Sequence, residues 1–233
     1  MAVRRKETPP KRTPLNRERV LRAAIALADE RGAQELTMRK LAKELGVEAM
    51  SLYNHVANKG DLLNGMIDLV FGEIEAPSAD GDWKDELRKR AISTREALTR
   101  HRWAIGEMEG RSDHGPNNLR LHDAVLGCLR GAGFSVQLTV QAYSVQDSYI
   151  YGFALQQSDM SPETPEDFAA SAQQQMQDYA AVLADYPHLV EVVGGYVAES
   201  GYDYEAAFLF GLDVILDRLE QLLSAQPRVS RGA

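Results

Sequence analysis

The chain has 233 residues, 44% hydrophobic and 26% charged, a globular composition that excludes general disorder. A single cysteine, Cys128, excludes a disulfide framework and a cysteine-cluster zinc site, and no apolar run reaches the roughly 18–20 residues of a membrane helix. The net charge of −8 is unevenly spread: residues 1–60 hold 13 Lys and Arg against 7 Asp and Glu, the rest 13 against 27, so only the head suits a polyanion.

Residues 1–16, with three prolines and a cluster of basic side chains, read as a disordered basic arm, either a solvated tail or an auxiliary phosphate contact. From Arg17, Val20, Leu21, Ala24, Ile25, Leu27 and Ala28 recur at helical spacing until Gly32 stops the helix. Thr37 caps a short helix that turns Leu41, Ala42 and Leu45 inward and ends at Gly46. A second short helix, about Glu48 to His55, turns Leu52 inward, with Val56 following. Asn58, with Asp61 three residues on, opens a longer helix over 59–75.

The loop 76–82 separates this head from the body. Helices are expected over 83–99, 102–108, 116–132, 135–156, 165–185 and 204–224. The β-branched run 190–197 could form a strand, but alone it has no partner. The chain is therefore all-α: the arm 1–16, a head with its connecting helix over 17–75, and a helical body over 76–233.

Function is written most densely in residues 37–59. Ala42 is small where two helices must approach, and Gly46, four positions on, suits a turn with positive φ. Leu41, Leu45, Val47, Leu52 and Val56 make a small core that fixes the crossing. That is the spacing of a three-helix helix-turn-helix DNA-binding domain, whose second helix enters a major groove. Its outward residues Glu48, Ala49, Met50, Ser51, Tyr53, Asn54 and His55 are small, polar or aromatic rather than the Lys and Glu of a solvated face. Met50 suits a thymine methyl and Arg39 a guanine edge. Tyr53, His55, Lys59 and the helix capped by Thr37 suit phosphate.

In the last helix Phe208, Leu212, Ile215 and Leu219 recur at 4-3-4 spacing beside a second row, Leu209, Leu216 and Leu223. In the helix over 135–156, Leu138, Ala142, Val145, Tyr149 and Phe153 form a similar row, with Gly152 allowing close approach. Two rows imply burial on two sides, either within one monomer or, as expected here, in a four-helix bundle about a two-fold axis with Leu138, Val145, Tyr149, Phe208, Leu212, Ile215 and Leu219 in the dimer interface. Two heads then read a palindromic operator. Cys128 lies within an apolar pattern and is assigned to the core. The sequence has no nucleophile-elbow, phosphate-loop or H-E-x-x-H motif, so no enzymatic activity is expected.

The segments Leu36-Thr37-x-Arg39-Lys40-Leu41-Ala42, Leu45-Gly46-Val47-Glu48 and Leu52-Tyr53-x-His55-Val56-x-Asn58-Lys59 resemble the TetR family of bacterial transcriptional regulators. Looser similarity continues through Trp83, Gly115-Pro116-Asn117, Tyr151-Gly152-Phe153 and Phe210-Gly211-Leu212-Asp213. The resemblance implies a cytoplasmic homodimer whose C-terminal helical domain binds a small-molecule effector and dimerises. It implies a repressor released when the ligand moves the helix over 59–75. The pocket is expected near Trp103, Met108, His122, Tyr143 and Asp147. His122 is either a core histidine or a ligand contact, and Asp147 needs either a polar ligand or an arginine partner. The tetracycline repressor holds a magnesium–drug chelate through a histidine just before its Gly/Arg-Pro turn. This chain has Met108 or Arg111 there, with His114 close to the turn, and no metal or resident cofactor is expected.

Overall fold

A computed structural model describes residues 14–108, 115–158, 164–197 and 201–226, and these are helical without strands. The basic arm, apart from its last three residues, lies outside them, as do Arg111 and His114. Leu15 packs on the head and the Asn16 side chain accepts the Arg19 N–H at 2.8 Å, so ordered structure begins ahead of the first helix.

The head contains α1 (Arg17–Arg31), a single 3-10 turn (Ala33–Glu35), α2 (Met38–Leu45), α3 (Ala49–Leu52) and α4 (Lys59–Gly72). Its boundaries follow from local chemistry. The Thr37 hydroxyl accepts the Lys40 N–H at 3.2 Å, and the Asn58 side chain accepts the Asp61 N–H at 2.9 Å, each filling an orphan donor of a first turn. Gly32 and Gly46 end α1 and α2 at φ of +82° and +65°, a region costly for other residues. The body contains α5 (Trp83–Arg100), α6 (Trp103–Met108), α7 (Pro116–Gly131), α8 (Val136–Ser158) and α9 (Pro165–Asp178), then the C-terminal helix (Tyr204–Ser224).

Two expected elements differ. The helix anticipated over 165–185 stops at Asp178 and resumes only as short turns at Ala180–Leu183 and Pro187–Leu189, with the Tyr186–Pro187 step favouring extended backbone before the proline. The run Val190–Val197 is a π-helical stretch, not a strand. Among the described residues it has no neighbouring strand to supply a ladder.

Three apolar clusters hold the fold together. In the head, Val20, Ala24, Leu36, Leu41, Leu52, Val56, Leu62 and Met66 are essentially sealed from solvent. A middle cluster joins Ile67, Val70 and Phe71 of α4, with Ile74 just beyond it, to Leu98, Ile105, Leu121 and Ala154 of the body. A distal cluster packs Leu87, Val125, Leu129, Phe134, Ala142 and Ile150 against Phe208, Leu212, Leu216 and Leu219. One helix, α4, is thus shared between two cores: Leu62, Leu63, Met66 and Leu69 pack with the head, and Ile67, Val70 and Phe71 with the body. Cys128 is buried.

The dimer seam expected from the C-terminal helix is corrected here. Phe208, Leu212 and Leu219 are 0%, 0% and 4% exposed, and Leu138 of α8 is 8% exposed, all inside one subunit. Tyr149 and Ile215 also pack on that cluster, and the Tyr149 hydroxyl donates to the Phe208 carbonyl at 2.9 Å. The close approach occurs at Gly211, where a Cβ would lie 2.3 Å from the Tyr149 hydroxyl, whereas nothing lies near Gly152. Rows at 4-3 spacing identify a buried face but not which chain buries it. The large apolar residues left outward are Val136, Val140, Val145 and Leu155 on α8 and Phe210 and Val214 on the C-terminal helix.

Candidate functional site

The head presents one face built for contact. The α2–α3 angle is fixed by Ala42, 3% exposed, and by the Val47 N–H bonding back to the Ala42 carbonyl at 3.0 Å across Gly46. Leu52 and Val56 are sealed beneath α3. Opposite them Met50 is 75% and Tyr53 45% exposed; Glu48 and Asn54 are also exposed, and Ala49, Ser51 and His55 are half-exposed. An exposed methionine at the first turn of a helix covers no core of its own subunit. Thr37, Arg39 and Lys59 are exposed at or near the N-terminal ends of α2 and α4, where free N–H groups favour anions.

The helix expected over 48–55 is shorter, Ala49–Leu52, followed by a turn over 53–55. That turn is held from α1: Arg17 donates to the His55 carbonyl at 2.8 Å and forms a two-pronged pair with Asp61 at 2.9 and 2.6 Å. Asp61 also accepts the Ala57 N–H at 2.8 Å. These hydrogen bonds hold the Asp61 carboxyl below its ordinary pKa and the Arg17 guanidinium above its own.

Between α4, α7 and α8 lies a cavity of about 190 Å³, lined by Asn64, Ile67, Asp68, Phe71, Met108, Gly115, Asn118, His122, Asp147 and Tyr151. Met108, His122 and Asp147 of the expected pocket line it. Asp147 has an arginine partner, Arg90 of α5, at 2.7 Å with the guanidinium 2% exposed. His122 Nδ1 donates to the Asn118 carbonyl at 2.8 Å, and its ring centroid lies 5.4 Å from that of Tyr143. Tyr143 is therefore one layer back, beside the lining; burial and the Asp147 carboxylate push its phenol pKa up. Tyr151 is pushed up in the same direction by burial first and Asp147 second.

Trp103 does not line this cavity. Its indole N–H donates to Asp29 of α1 at 2.7 Å, and its ring lies against that of His101, which itself meets Asp29 at 2.8 Å and Glu73 at 3.2 Å. A large amphipathic ring needs an acceptor for its N–H, and here the acceptor lies across the head–body junction. Sequence reasoning missed Asn64, Asp68, Asn118, Tyr151 and the supporting Arg90. A usable signal was Asp68 between Ile67 and Leu69, an acid inside the apolar stretch of a connecting helix.

The described lining residues do not fit a magnesium chelate. Met108 offers a soft thioether to a hard cation, and Asp147 is committed to Arg90.

Residues 20–66 match the family model described as bacterial regulatory proteins, tetR family, and residues 76–223 the tetracyclin repressor-like C-terminal domain. The transcriptional repressor DrrR1 of Streptomyces coeruleorubidus is 34% identical over 228 residues, 95% of this chain and 83% of that protein. The class D tetracycline repressor protein of Escherichia coli is 31% identical over 231 residues, 94% and 95% of the two chains. The crystal structure of ActR of Streptomyces coelicolor with actinorhodin superposes with a TM-score of 0.74 at 27% identity, covering 91% of this chain and 99% of that one.

Proposed function

The chain belongs to the TetR family of bacterial regulatory proteins and is a ligand-responsive, DNA-binding repressor; we propose that its effector fills the cavity between α4, α7 and α8 and acts by displacing α4. The observation that carries this is the division of α4 between two cores: Met66 packs in the head and Ile67, Phe71 and Asp68 face the body and its cavity. A ligand in contact with α4 acts on a helix that the head cannot move without.

The protein works as a homodimer on duplex operator DNA. We assign base contacts to Arg39 and to Glu48, Ala49, Met50, Ser51 and Asn54, and phosphate contacts to Thr37, Tyr53, His55 and Lys59. The two-fold contact is assigned to the outward side chains Val145, Phe210 and Val214, with Gly152 leaving space between helices. The actinorhodin bound by ActR supports an organic small molecule as effector, and no metal or resident cofactor is assigned. The chain is proposed to have no enzymatic activity and to act in the cytoplasm. No helix among the described residues is long and apolar enough to cross a membrane.

The test has two stages. Operator duplexes are selected from random sequence with the full-length protein, and a compound library is screened for thermal stabilisation. A true effector stabilises the protein and releases the selected duplex. Tyr151→Ala should raise the concentration needed for release at least tenfold relative to the affinity for DNA alone. Effectors whose action ignores Tyr151, Phe71 and His122 would place the effector site elsewhere.

A further inference from the structure

Asp68 of α4 occupies two roles with one carboxylate. Its Oδ1 accepts the backbone N–H groups of Asn117 at 2.9 Å and Asn118 at 3.1 Å, and its Oδ2 accepts from the Asn117 side chain at 3.1 Å. It therefore caps α7 from another helix, because the cap position of α7 is Gly115, which has no side chain to do so. The fit is close: a Cβ on Gly115 would stand 2.2 Å from Asp68 Cγ. The same carboxylate lines the cavity.

The remaining polar wall points the same way. Asn118, 6% exposed, has an Oδ1 with no hydrogen-bond partner among the described residues, and it also lines the cavity. Asp147 adds a second carboxylate, neutralised by Arg90. No Lys or Arg is found among the described lining residues. An acceptor-rich wall attracts donors, and hydrogen bonds to a carboxylate from a cation are roughly twice as strong as neutral ones. An anionic ligand would face Asp68 with no cation among the described lining residues to offset it.

We propose that this cavity selects a cationic, donor-bearing aromatic ligand over an anionic one, and that the ligand's ammonium acts by drawing the Asp68 carboxylate off the α7 N-terminus. The proposal rests on the cavity being the effector site. Removing that cap loosens α4 from α7, and α4 carries the head. The ligand shifts the equilibrium only as far as it favours the uncapped arrangement over the capped one.

Two measurements on the full-length dimer test it. In the first, 9-aminoacridine and acridine-9-carboxylate, one ring system with opposite charge at pH 7, are titrated by fluorescence without DNA. The amine should bind at least tenfold tighter, and Asp68→Asn should abolish that preference. Tighter binding of the carboxylate, or no binding of the amine up to millimolar concentration, overturns the proposal but leaves the effector site standing. Binding of both probes that ignores Tyr151→Ala overturns the effector site, and the proposal with it.

In the second, Asp68→Ala and, independently, Gly115→Ala, which forces a methyl group onto the same carboxylate, are measured for affinity to the selected operator. Each should bind at least tenfold more weakly than wild type while keeping helicity and dimer mass. Operator affinity within twofold of wild type for both variants overturns the coupling role of Asp68.

Discussion

Arg90 of α5 and Asp147 of α8 meet at 2.7 Å inside the body, 2% and 14% exposed, and the carboxylate faces the cavity while the guanidinium does not line it. Arg90 Nε and Nη1 have no hydrogen-bond partner among the described residues. A pair this deep contributes little net stability but is costly to halve, because the survivor is left charged and buried. Arg90→Ala should therefore destabilise the protein by about 3–5 kcal/mol. Arg90→Met with Asp147→Leu should recover most of that loss in urea unfolding. A double variant as unstable as the single one would show that the pair's value lies in attraction rather than in avoiding an orphan charge.

At the head, Arg39→Ala should cost about 1–3 kcal/mol on the selected operator and relax preference at one base pair. Lys59→Ala should weaken all duplexes alike and lower the salt slope by about 1. Binding isotherms at several salt concentrations separate the two. Wild-type behaviour of both variants would remove α2 and the α4 start from the interface.

Outward apolar residues and inward ones should respond differently to charge. Phe210→Glu with Val214→Glu should give helical monomers in sedimentation, because both side chains are over half exposed in the single subunit. Leu212→Glu should unfold the chain instead, since Leu212 is fully buried. An intact dimer of the Phe210 and Val214 double variant would move the two-fold contact to other surfaces.

Acid should weaken the Arg17–Asp61 lock in a defined window. The hydrogen bond from Arg17 holds the Asp61 carboxyl below its ordinary value of 3.8. A depressed pKa contributes stability that is fully present above the unfolded value and lost as pH falls through the lower, folded one. Thermal midpoints of wild type and Asp61→Asn should differ most above pH 4 and converge below it. A gap that persists unchanged to pH 2 would mean that Asp61 acts through shape and not through charge.

The helices were legible in the sequence because their caps and stops are local: Asn58, Thr37, Gly32 and Gly46 each act on residues within a turn. The cavity was only partly legible. His122 and Asp147 stood out as polar residues on apolar faces, but the partner of Asp147 is 57 positions away in Arg90, and nothing in either local pattern reports the other. Trp103 was misassigned because an aromatic residue near an expected pocket carries no mark of which neighbour its N–H will find. The dimer rows failed for a related reason. Periodicity fixes which side of the C-terminal helix is apolar, and Phe210 and Val214 lie off that period on its opposite side.

The shared helix α4 also constrains how such proteins can be recombined. A chimera joined in the loop 76–82 would set a foreign Ile67, Val70, Phe71 and Ile74 against a body core shaped for other side chains, and would separate Asp68 from the α7 N-terminus it caps. A crossover inside α4, after Met66, keeps all but Leu69 of the helix's head-core residues with the head and leaves Ile67, Val70 and Phe71 with the body. The family match to the N-terminal segment ends at that residue, 66. Exchange of specificities among regulators of this design should therefore succeed when the junction divides a helix and fail when it spares one.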